Sequence, residues 1–260
     1  MLYSELLDAL VLRDGAGSIT IPADWMQGRS VFGGLQSALA LRAMRSLVPG
    51  EVPLRALQTT FVAPVSGTVN LEARVLRTGK SATHAEARIL DGGQTLAIVI
   101  GIFGRARASK VEVVAHAPPF TPNETPLDMP RGLGPVFLQH FSMRWLTGAP
   151  PYSGLRHATR AVFEIGMNDA VPANEAHVVA MGDVIPPLAL TMLSEPAPGS
   201  SVTWTLEFLV DHFDAVPLEG WRIHGELRAG RDGYTSQSAI VCAPAGHAVA
   251  LSQQTMMVFG

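Results

Sequence analysis

The sequence of 260 residues contains one cysteine, Cys242, so the chain cannot form an internal disulfide bond and suits a reducing compartment. Charged side chains make up only 16% of the residues and the formal net charge is −3, which provides no basic surface for nucleic acid or an anionic membrane. No apolar run approaches the roughly 20 residues of a membrane span, and residues 1–13 lack the pattern of a signal peptide. We therefore expect a soluble, cytoplasmic protein whose partner is a small molecule.

Several common kinds of catalytic and metal site are also missing from the sequence. The eight histidines show no His-x-x-x-His spacing and the chain has no Cys-x-x-Cys, so we assign no metal. There is no Gly-x-Ser-x-Gly, and Ser153-Gly154 follows a pair of prolines, which argues against a serine hydrolase of the nucleophile-elbow kind. Cys242 has apolar neighbours that should keep its thiol protonated, so it is a poor candidate for a nucleophile.

The stretch from residue 30 to residue 47 predicts the central element of the fold. Gly33 and Gly34 permit a tight backbone turn, and neither proline nor a β-branched residue interrupts the chain from there to Leu47. We predict a helix from about Gly34 to Leu47. Its polar stripe is narrow, with Arg42 and Arg45 as the charged members, so most of its circumference should be covered by protein.

The segments after this helix alternate between apolar and polar residues, which is typical of half-buried antiparallel strands. In residues 69–75, for example, the odd positions are apolar and the even positions are polar. A long helix wrapped by the strands that follow it is the hot-dog arrangement, an α+β fold in which a curled antiparallel sheet surrounds one central helix. The predicted strands of this half are residues 54–62, 69–75, 82–90 and 95–103.

The second half of the chain repeats the first in weak but ordered form. Residues 77–89 can be laid beside residues 228–240, and both halves close on Phe-Gly. Residues 106–135 hold six prolines and little apolar periodicity, which predicts a linker on the surface. We therefore predict a double hot-dog with an N-terminal repeat in residues 1–105, this linker, and a C-terminal repeat in residues 136–260.

A second, shorter helix is predicted in residues 181–193, in the position that the first helix has in its own repeat. The pair Pro186-Pro187 is tolerable only in the first turn of such a helix, so Asp183 would lie where the helix begins. At that position Asp183 would also serve as a helix N-cap. Its counterpart in the first repeat would be Gly34.

Four short motifs occur in an order that resembles the type II acyl-CoA thioesterases, which are double hot-dog proteins that hydrolyse fatty acyl-CoA. The resemblance covers nearly the whole chain. It implies a catalytic Asp, Thr and Gln in the C-terminal repeat, which hold and activate a water, and the positions that match are Asp183, Thr205 and Gln254. The motifs are Phe32-Gly33-Gly34, Phe61-Val-Ala-Pro64, Arg77-Thr-Gly-Lys80-Ser81 and Phe103-Gly104.

Chemistry gives each of these residues a role beside the resemblance. Asp183 would be the base, while Gln254 and Thr205, which can both donate and accept hydrogen bonds, would orient the water. Alternation favours Gln254 over its neighbour Gln253, because Gln254 shares a face with small side chains. Backbone N–H groups at a helix N-terminus, after Gly33 or near Asp183, would stabilise the oxyanion, and no metal or organic cofactor is required.

The substrate-binding residues expected from the sequence are Gly33 and Gly34 at the start of the helix and Arg77 and Lys80 at a turn. The two basic residues form either a solvated corner or a contact with the phosphates of CoA. No carboxylate lies in residues 30–47, so we expect one active site per chain. The resemblance also implies a homodimer or a larger homo-oligomer, because the family commonly pairs through sheet edges.

Two alternatives to an acyl-CoA thioesterase stay open. A non-catalytic acyl-CoA or lipid binder is one, because Thr205 is followed by Leu-Glu-Phe where better-known members of the family carry Asp-His. An enoyl-CoA hydratase on the same fold is the other. Its signature places Asn-Pro and a histidine shortly after the aspartate, whereas Asp183 is followed by Val-Ile-Pro-Pro-Leu.

Overall fold

The computed structural model describes residues 1–130 and 132–259. Within them, short 3₁₀ turns lie at Ala23–Trp25, Val136–His140 and Leu188–Met192. The α-helices are α1 (Tyr3–Ala9), α2 (Gly33–Arg45) and α3 (Glu175–Asp183). The strands are β1 (Leu12–Arg13), β2 (Ala16–Thr20), β3 (Met26–Gln27), β4 (Ser30–Val31), β5 (Leu54–Phe61), β6 (Thr68–Thr78), β7 (Thr83–Asp91), β8 (Gln94–Phe103), β9 (Leu127–Asp128), β10 (Phe141–Thr147), β11 (Arg160–Met167), β12 (Gly199–Phe208), β13 (Trp221–Arg231), β14 (Tyr234–Cys242) and β15 (Ala248–Val258).

Thirteen of these strands form one antiparallel sheet in the order β1-β2-β6-β7-β8-β5-β12-β15-β14-β13-β11-β10-β9. The two halves of the chain supply its two halves in space, and they join where β5 pairs with β12. Strands β3 and β4 form a separate hairpin. Each half of the sheet covers one central helix, so the predicted double hot-dog fold is confirmed.

Helix α2 is the covered central helix that its sequence predicts. All of its residues are buried except Arg42 and Arg45, which lie in the last turn. The inner faces of β6, β7 and β8 present small and branched apolar side chains to it, among them Leu71, Ala87 and Val99. The helix begins at Gly33, one residue before the predicted position.

The predicted second helix is wrong in its position. Helix α3 ends, rather than begins, near Asp183, and the two prolines that follow it stop the helix. Its start is fixed by Asn174, whose side-chain oxygen accepts hydrogen bonds from the N–H groups of Ala176 and His177 at 2.9 and 3.3 Å. Asp183 is therefore not an N-cap.

Helices α2 and α3 pack side by side in opposite directions. A Cβ atom added to Gly34 would lie 3.0 Å from Cα of Ala180, so a glycine is needed for this close approach. At the opposite ends of the two helices, Arg45 of α2 contacts Glu175 of α3. The start of α2 thus faces the end of α3, which is where Asp183 lies.

Residues 106–130 and 132–135 are mostly without regular structure, apart from β9, which pairs with β10. The repeat boundaries at 105 and 135 stay a prediction. In the part of the chain that the structure describes, no helix is long and apolar enough to cross a membrane.

Candidate active site

Asp183 lies at the junction of the two repeats, where three elements converge on its carboxylate. It is the last residue of α3, and its Oδ1 accepts a hydrogen bond of 2.7 Å from the side-chain nitrogen of Gln254 on β15. The backbone N–H of Gly34 at the start of α2 also faces the carboxylate. A Cβ atom at Gly33 would lie only 2.6 Å from Oδ2, so this position must be glycine for the carboxylate to fit.

The surroundings of Asp183 raise its affinity for a proton. Protein encloses its side chain except where it faces a cavity, and this burial raises the pKa of Asp183 to about 7. Hydrogen bonds from Gln254 and from the backbone of Gly34 act in the opposite direction. The end of its own helix disfavours a negative charge, whereas the start of α2 favours one. Near neutral pH the carboxylate can therefore both accept and release a proton.

Gln254 and Ser201 come from β15 and β12, the two strands of the C-terminal half that lie nearest the junction of the repeats. Gln254 pairs with Trp204, and both side chains face the helices. The side-chain nitrogen of Gln254 also donates to the hydroxyl oxygen of Ser201 at 2.8 Å. Ser201 reaches this face because a β-bulge before Thr203 shifts the alternation of β12. The Ser201 hydroxyl keeps its own proton, which it can donate to a water beside Asp183.

Thr205 does not join this cluster, which corrects the expectation that it lies with Asp183 and Gln254. It pairs with Gln253 on the outer face of the sheet, opposite to the face on which Trp204 lies. The two consecutive glutamines thus point to different sides, and only Gln254 reaches Asp183. Sequence reasoning identified two members of the cluster and missed Ser201.

A cavity of about 530 Å³ opens beside Asp183. Its wall is mostly apolar and comes from both repeats and from the segment between them. Among the described lining residues, Asp183 is the only carboxylate and none is a histidine. Large apolar side chains of the wall include Phe137, Leu138, Met143, Trp145, Ile185 and Leu190.

The basic residues expected at the substrate lie elsewhere than the cavity. Arg77 is near the end of β6 and Lys80 is in the following turn, both are exposed, and neither lines the cavity. Arg29 does line it, between β3 and β4, and its side chain is exposed. Arg29 has no distinctive sequence signal, since it is one basic residue beside a glycine.

The start of α2 is held beside the cavity by aromatic stacking. Phe32, which precedes the helix, stacks on Phe137 with 4.1 Å between ring centroids, and Phe141 contacts both rings edge-on. Phe137 and Phe141 belong to the second half of the chain. The contact therefore fixes the glycine pair of one repeat against the site that Asp183 of the other repeat supplies.

Metal-binding side chains are not grouped in the structure. Within residues 1–130 and 132–259, no group of three or more His, Cys, Asp or Glu side chains could hold a metal ion. The chemistry of the site is that of a carboxylate, an amide, a hydroxyl and the backbone N–H of a helix start.

Comparison with protein families identifies both halves of the chain. The family model described as the acyl-CoA thioesterase N-terminal domain matches residues 21–104, and the one described as the C-terminal domain matches residues 115–258. The chain belongs to the acyl-CoA thioesterase family. The residues that line the junction in this thioesterase come from both matched regions, Gly34 from the first and Asp183 from the second.

Solved structures show the same fold over nearly the whole chain. A hot-dog protein of unknown function from Alicyclobacillus acidocaldarius has a TM-score of 0.87 at 20% identity, covering 99% of this chain and 98% of that one. The acyl-CoA thioesterase II TesB2 from Mycobacterium marinum has a TM-score of 0.74 at 14% identity, with 99% and 98% covered. The tesB protein of Mycobacterium avium subs. paratuberculosis has a TM-score of 0.77 at 16% identity with the same coverage. No curated protein sequence matches the chain.

Proposed function

We propose that this thioesterase hydrolyses a fatty acyl-CoA to a free fatty acid and CoA, with Asp183 as the general base. The observation that carries the proposal is a carboxylate with a pKa of about 7 at the wall of an apolar cavity, hydrogen-bonded to an amide and facing the start of a helix. A base with this pKa is deprotonated in an adequate fraction at neutral pH and still accepts a proton well.

The proposed reaction needs a water between Asp183 and Ser201. The water oxygen attacks the thioester carbonyl carbon while Asp183 takes a proton from the water. The negative charge that develops on the carbonyl oxygen is stabilised by the backbone N–H of Gly33, since the next three N–H groups of α2 already bond to Asp183 or Phe32. The carbon–sulfur bond then breaks, and the proton held by Asp183 passes to the leaving thiolate. Gln254 keeps the carboxylate and the hydroxyl in fixed positions through its two N–H groups.

The shape of the cavity supports an acyl substrate. Its volume of about 530 Å³ falls within the range of roughly 300–1,000 Å³ that is usual for small-molecule sites. The wall beyond Asp183 is largely hydrocarbon and aromatic, which favours an alkyl chain over a charged or sugar-like group.

The other two functions fit the site less well. A hydratase of the expected type needs a histidine near the aspartate, and no described lining residue of the cavity is a histidine. A non-catalytic binder would have no use for a buried carboxylate, whose burial costs stability and is typical of functional sites. The departure after Thr205, which favoured a binder, is weaker evidence once Thr205 itself lies on the outer face and Ser201 supplies the hydroxyl at the site.

Four variants test the assignment. For each of them, kcat is measured with a panel of acyl-CoAs by monitoring the release of free thiol. Asp183→Asn should lower kcat by about 10²- to 10⁴-fold, because it removes the base and keeps the shape. Gln254→Ala and Ser201→Ala should each lower kcat by a smaller factor, and Gln254→Ala should add little to Asp183→Asn because both act on one water. Thr205→Ala is the matched control and should keep kcat within about twofold.

The outcomes separate the candidate functions. An Asp183→Asn protein with near-normal kcat would contradict the proposal. Binding of acyl-CoA without thiol release would identify a binder, and hydration of an enoyl-CoA without thiol release would identify a hydratase. Loss of activity in Thr205→Ala with retention in Ser201→Ala would exchange the roles assigned to these two hydroxyls.

We further propose that Arg29 contacts the phosphates of CoA at the mouth of the cavity. It is the only basic residue among the described residues that line the cavity, and a guanidinium pairs well with phosphate. Arg29→Ala should raise KM for an acyl-CoA by about 3- to 10-fold, the effect of one exposed charge-assisted contact, with kcat unchanged.

A truncated substrate gives this proposal a sharp control. An acyl thioester of N-acetylcysteamine lacks the phosphates, so its KM should be the same for Arg29→Ala and wild type. Arg77→Ala is the matched arginine variant, and it should change neither KM. A larger effect of Arg77→Ala than of Arg29→Ala on the KM for acyl-CoA would show that the phosphates lie at the β6–β7 turn instead.

A further inference from the structure

A second cavity, larger than the first, lies on the outer face of the C-terminal half of the sheet. Its volume is about 720 Å³. Residues 112–120 cross over the sheet and form its roof, and outward-facing residues of β13 and β14 form its floor. We call this space the linker cavity. Asp183 lies on the inner side of the sheet, so the linker cavity is separate from the candidate active site.

Two basic side chains of β13 face the linker cavity. Arg222 and His224 alternate with Trp221 and Ile223, which are fully buried on the inner face. His224 is only 9% exposed, and its buried Nδ1 atom has no hydrogen-bond partner among the described residues. The usual rule is that buried polar groups are paired, so an unpaired one at a cavity wall points to a missing ligand.

Arg222 also lacks a partner in the residues that the structure describes. Its cross-strand neighbour Glu164 pairs instead with Arg144, at 3.5 Å. The guanidinium lies against the β14–β15 turn, where a Cβ atom at Gly246 would be 3.4 Å from it. A half-buried guanidinium that contacts no carboxylate among the described residues favours an anion in the space that it faces.

The remaining charges around the linker cavity agree with an anionic ligand. The only carboxylate among its described lining residues is Glu112, which lies on the roof and is exposed. Burial, and to a smaller extent the charge of Arg222, lowers the pKa of His224, so this histidine is neutral at pH 7 and offers a hydrogen bond rather than a second charge. One permanent positive charge matches a monoanion such as a carboxylate better than a phosphate dianion.

The roof adds apolar surface that no described residue covers. Val113 and Val114 line the cavity and are nevertheless 87% and 66% exposed. Phe120 closes one side and meets His224 edge-on, with 5.3 Å between ring centroids. Exposed apolar side chains that cluster at a cavity mark a place where a ligand with hydrocarbon can bind.

We propose that the linker cavity binds an organic carboxylate with an apolar body, with its carboxylate on Arg222 and His224 and its hydrocarbon against Val113, Val114 and Phe120. The ligand would bridge the segment between the repeats and the C-terminal sheet. The proposal is independent of the hydrolysis proposed at Asp183, because it uses none of the same residues.

Calorimetric titration with decanoate tests the proposal on three forms of the full chain: the wild type, Arg222→Gln and Arg231→Gln. Arg222→Gln should weaken decanoate binding by about 10- to 100-fold, the loss expected for a charge-assisted hydrogen-bonded pair. Arg231→Gln is the matched control on the same strand, since Arg231 is 90% exposed and lies outside the cavity. Any decanoate in the active-site cavity contributes equally to both variants, so a difference between them reports on the linker cavity.

A second variant and a second probe keep the test independent of folding. Val113→Glu places a negative charge on the exposed roof, so it should weaken decanoate binding while the melting temperature stays that of the wild type. Decanol, which has a hydroxyl in place of the carboxylate, should bind more weakly than decanoate to wild type and equally to wild type and Arg222→Gln. Equal decanoate affinity of Arg222→Gln and Arg231→Gln, or decanol binding as tight as decanoate, would overturn the proposal.

Discussion

The two ends of the α2–α3 helix pair have the same geometry and hold different groups. At one end α2 begins and α3 ends, and the carboxylate of Asp183 faces Gly34 with no cation beside it among the described residues. At the other end α2 ends and α3 begins, and Arg45 forms a bidentate ion pair with Glu175, with both N–O distances at 2.6 Å. An ion pair neutralises the second end, whereas the first end keeps a carboxylate that can exchange a proton.

At the neutralised end, the guanidinium of Arg45 also has partners other than Glu175. Arg45 donates to the carbonyl oxygens of Pro49 and Val52 at 2.9 and 2.8 Å, and its guanidinium lies over the ring of Phe103, 4.6 Å from the centroid. This guanidinium holds both oxygens of Glu175, so the carboxylate is not free to act as a base. The end therefore serves to join the repeats.

The two halves of the sheet also differ at the position that Gln254 occupies in the second half. An approximate two-fold axis through the centre of the β5–β12 ladder relates Leu57 to Trp204. Leu57 pairs with Gly101 and Trp204 pairs with Gln254, so Gly101 stands where Gln254 would be in the first repeat. A Cβ atom there would lie 3.0 Å from the sulfur of Met44, which fills the space.

This comparison changes the counterpart of Asp183. The sequence match assigned Gly34 to that position, whereas the structure assigns Arg45, because each is the last residue of its central helix. The first repeat thus has a cation, Arg45, where the second has the carboxylate of Asp183. It also has a glycine at the position where the second repeat has the amide of Gln254. The expectation of one active site per chain stays a prediction, and these substitutions support it.

The largest expected effect in this comparison comes from pH. With the pKa of Asp183 at about 7, kcat/KM should fall about tenfold for each pH unit below 7, so the value at pH 5 should be about 100-fold below the plateau. Rates measured with a saturation series from pH 5 to pH 9 give the profile. An acidic limb centred near pH 4 would show that the carboxylate is not perturbed.

The free energy of unfolding should fall as pH rises over this range, whereas kcat/KM should rise. The pKa of Asp183 in the folded protein is above the value of about 3.9 in an unfolded chain, so protonation stabilises the fold. This contribution is complete below about pH 4 and is lost as pH rises through about 7. Asp183→Asn should therefore melt higher than wild type at pH 8, and the difference should shrink at pH 5.

The next effect concerns the close approach of the two helices at the active end. Gly34→Ala would place a Cβ atom 2.6 Å from the ring of Phe32 and 3.0 Å from Ala180, so α2 must move. We expect a loss of about 1–3 kcal/mol of unfolding free energy and a fall in kcat of about tenfold or more, because the helix start shifts from Asp183. Gly50→Ala is the control, since nothing lies within 4 Å of its added Cβ. Equal kcat values for both variants would contradict this account.

The smallest effect on the rate is expected at the neutralised end. Arg45→Gln leaves the partly buried Glu175 without its partner, which should cost about 1–3 kcal/mol of unfolding free energy. The kcat of the folded variant should stay within about twofold of wild type, because this end contains no proposed catalytic group. Arg42→Gln is the control, since its contact with Asp8 is long at 3.9 Å and exposed. A loss of kcat as large as that of Gly34→Ala would make the two ends functionally equivalent.

Local sequence patterns predicted the first repeat well because its elements follow the usual periods. Strands β5 to β8 lie within one or two residues of their predictions at all but one end, and α2 is a helix buried on almost every side. The glycine pair and the alternation that distinguishes Gln254 from Gln253 were also readable from the sequence. The sequence prediction misplaces α3 because it uses Pro186-Pro187 as a start signal, whereas the pair follows the end of the helix. Asn174 before an apolar run is a valid start signal.

The sequence by itself determined the double repeat, the family and two members of the candidate site, Asp183 and Gln254, because these depend on local periodicity and short motifs. Only the tertiary structure decided that Ser201 completes the cluster, since the β-bulge before Thr203 reverses the side of the strand that Ser201 faces and leaves no local signal. The outward orientation of Thr205 follows from its alternation with Trp204. The tertiary structure also decided the proton affinity of Asp183. That affinity depends on burial and on Gly34, about 150 residues away, and no pattern within one segment records such a contact.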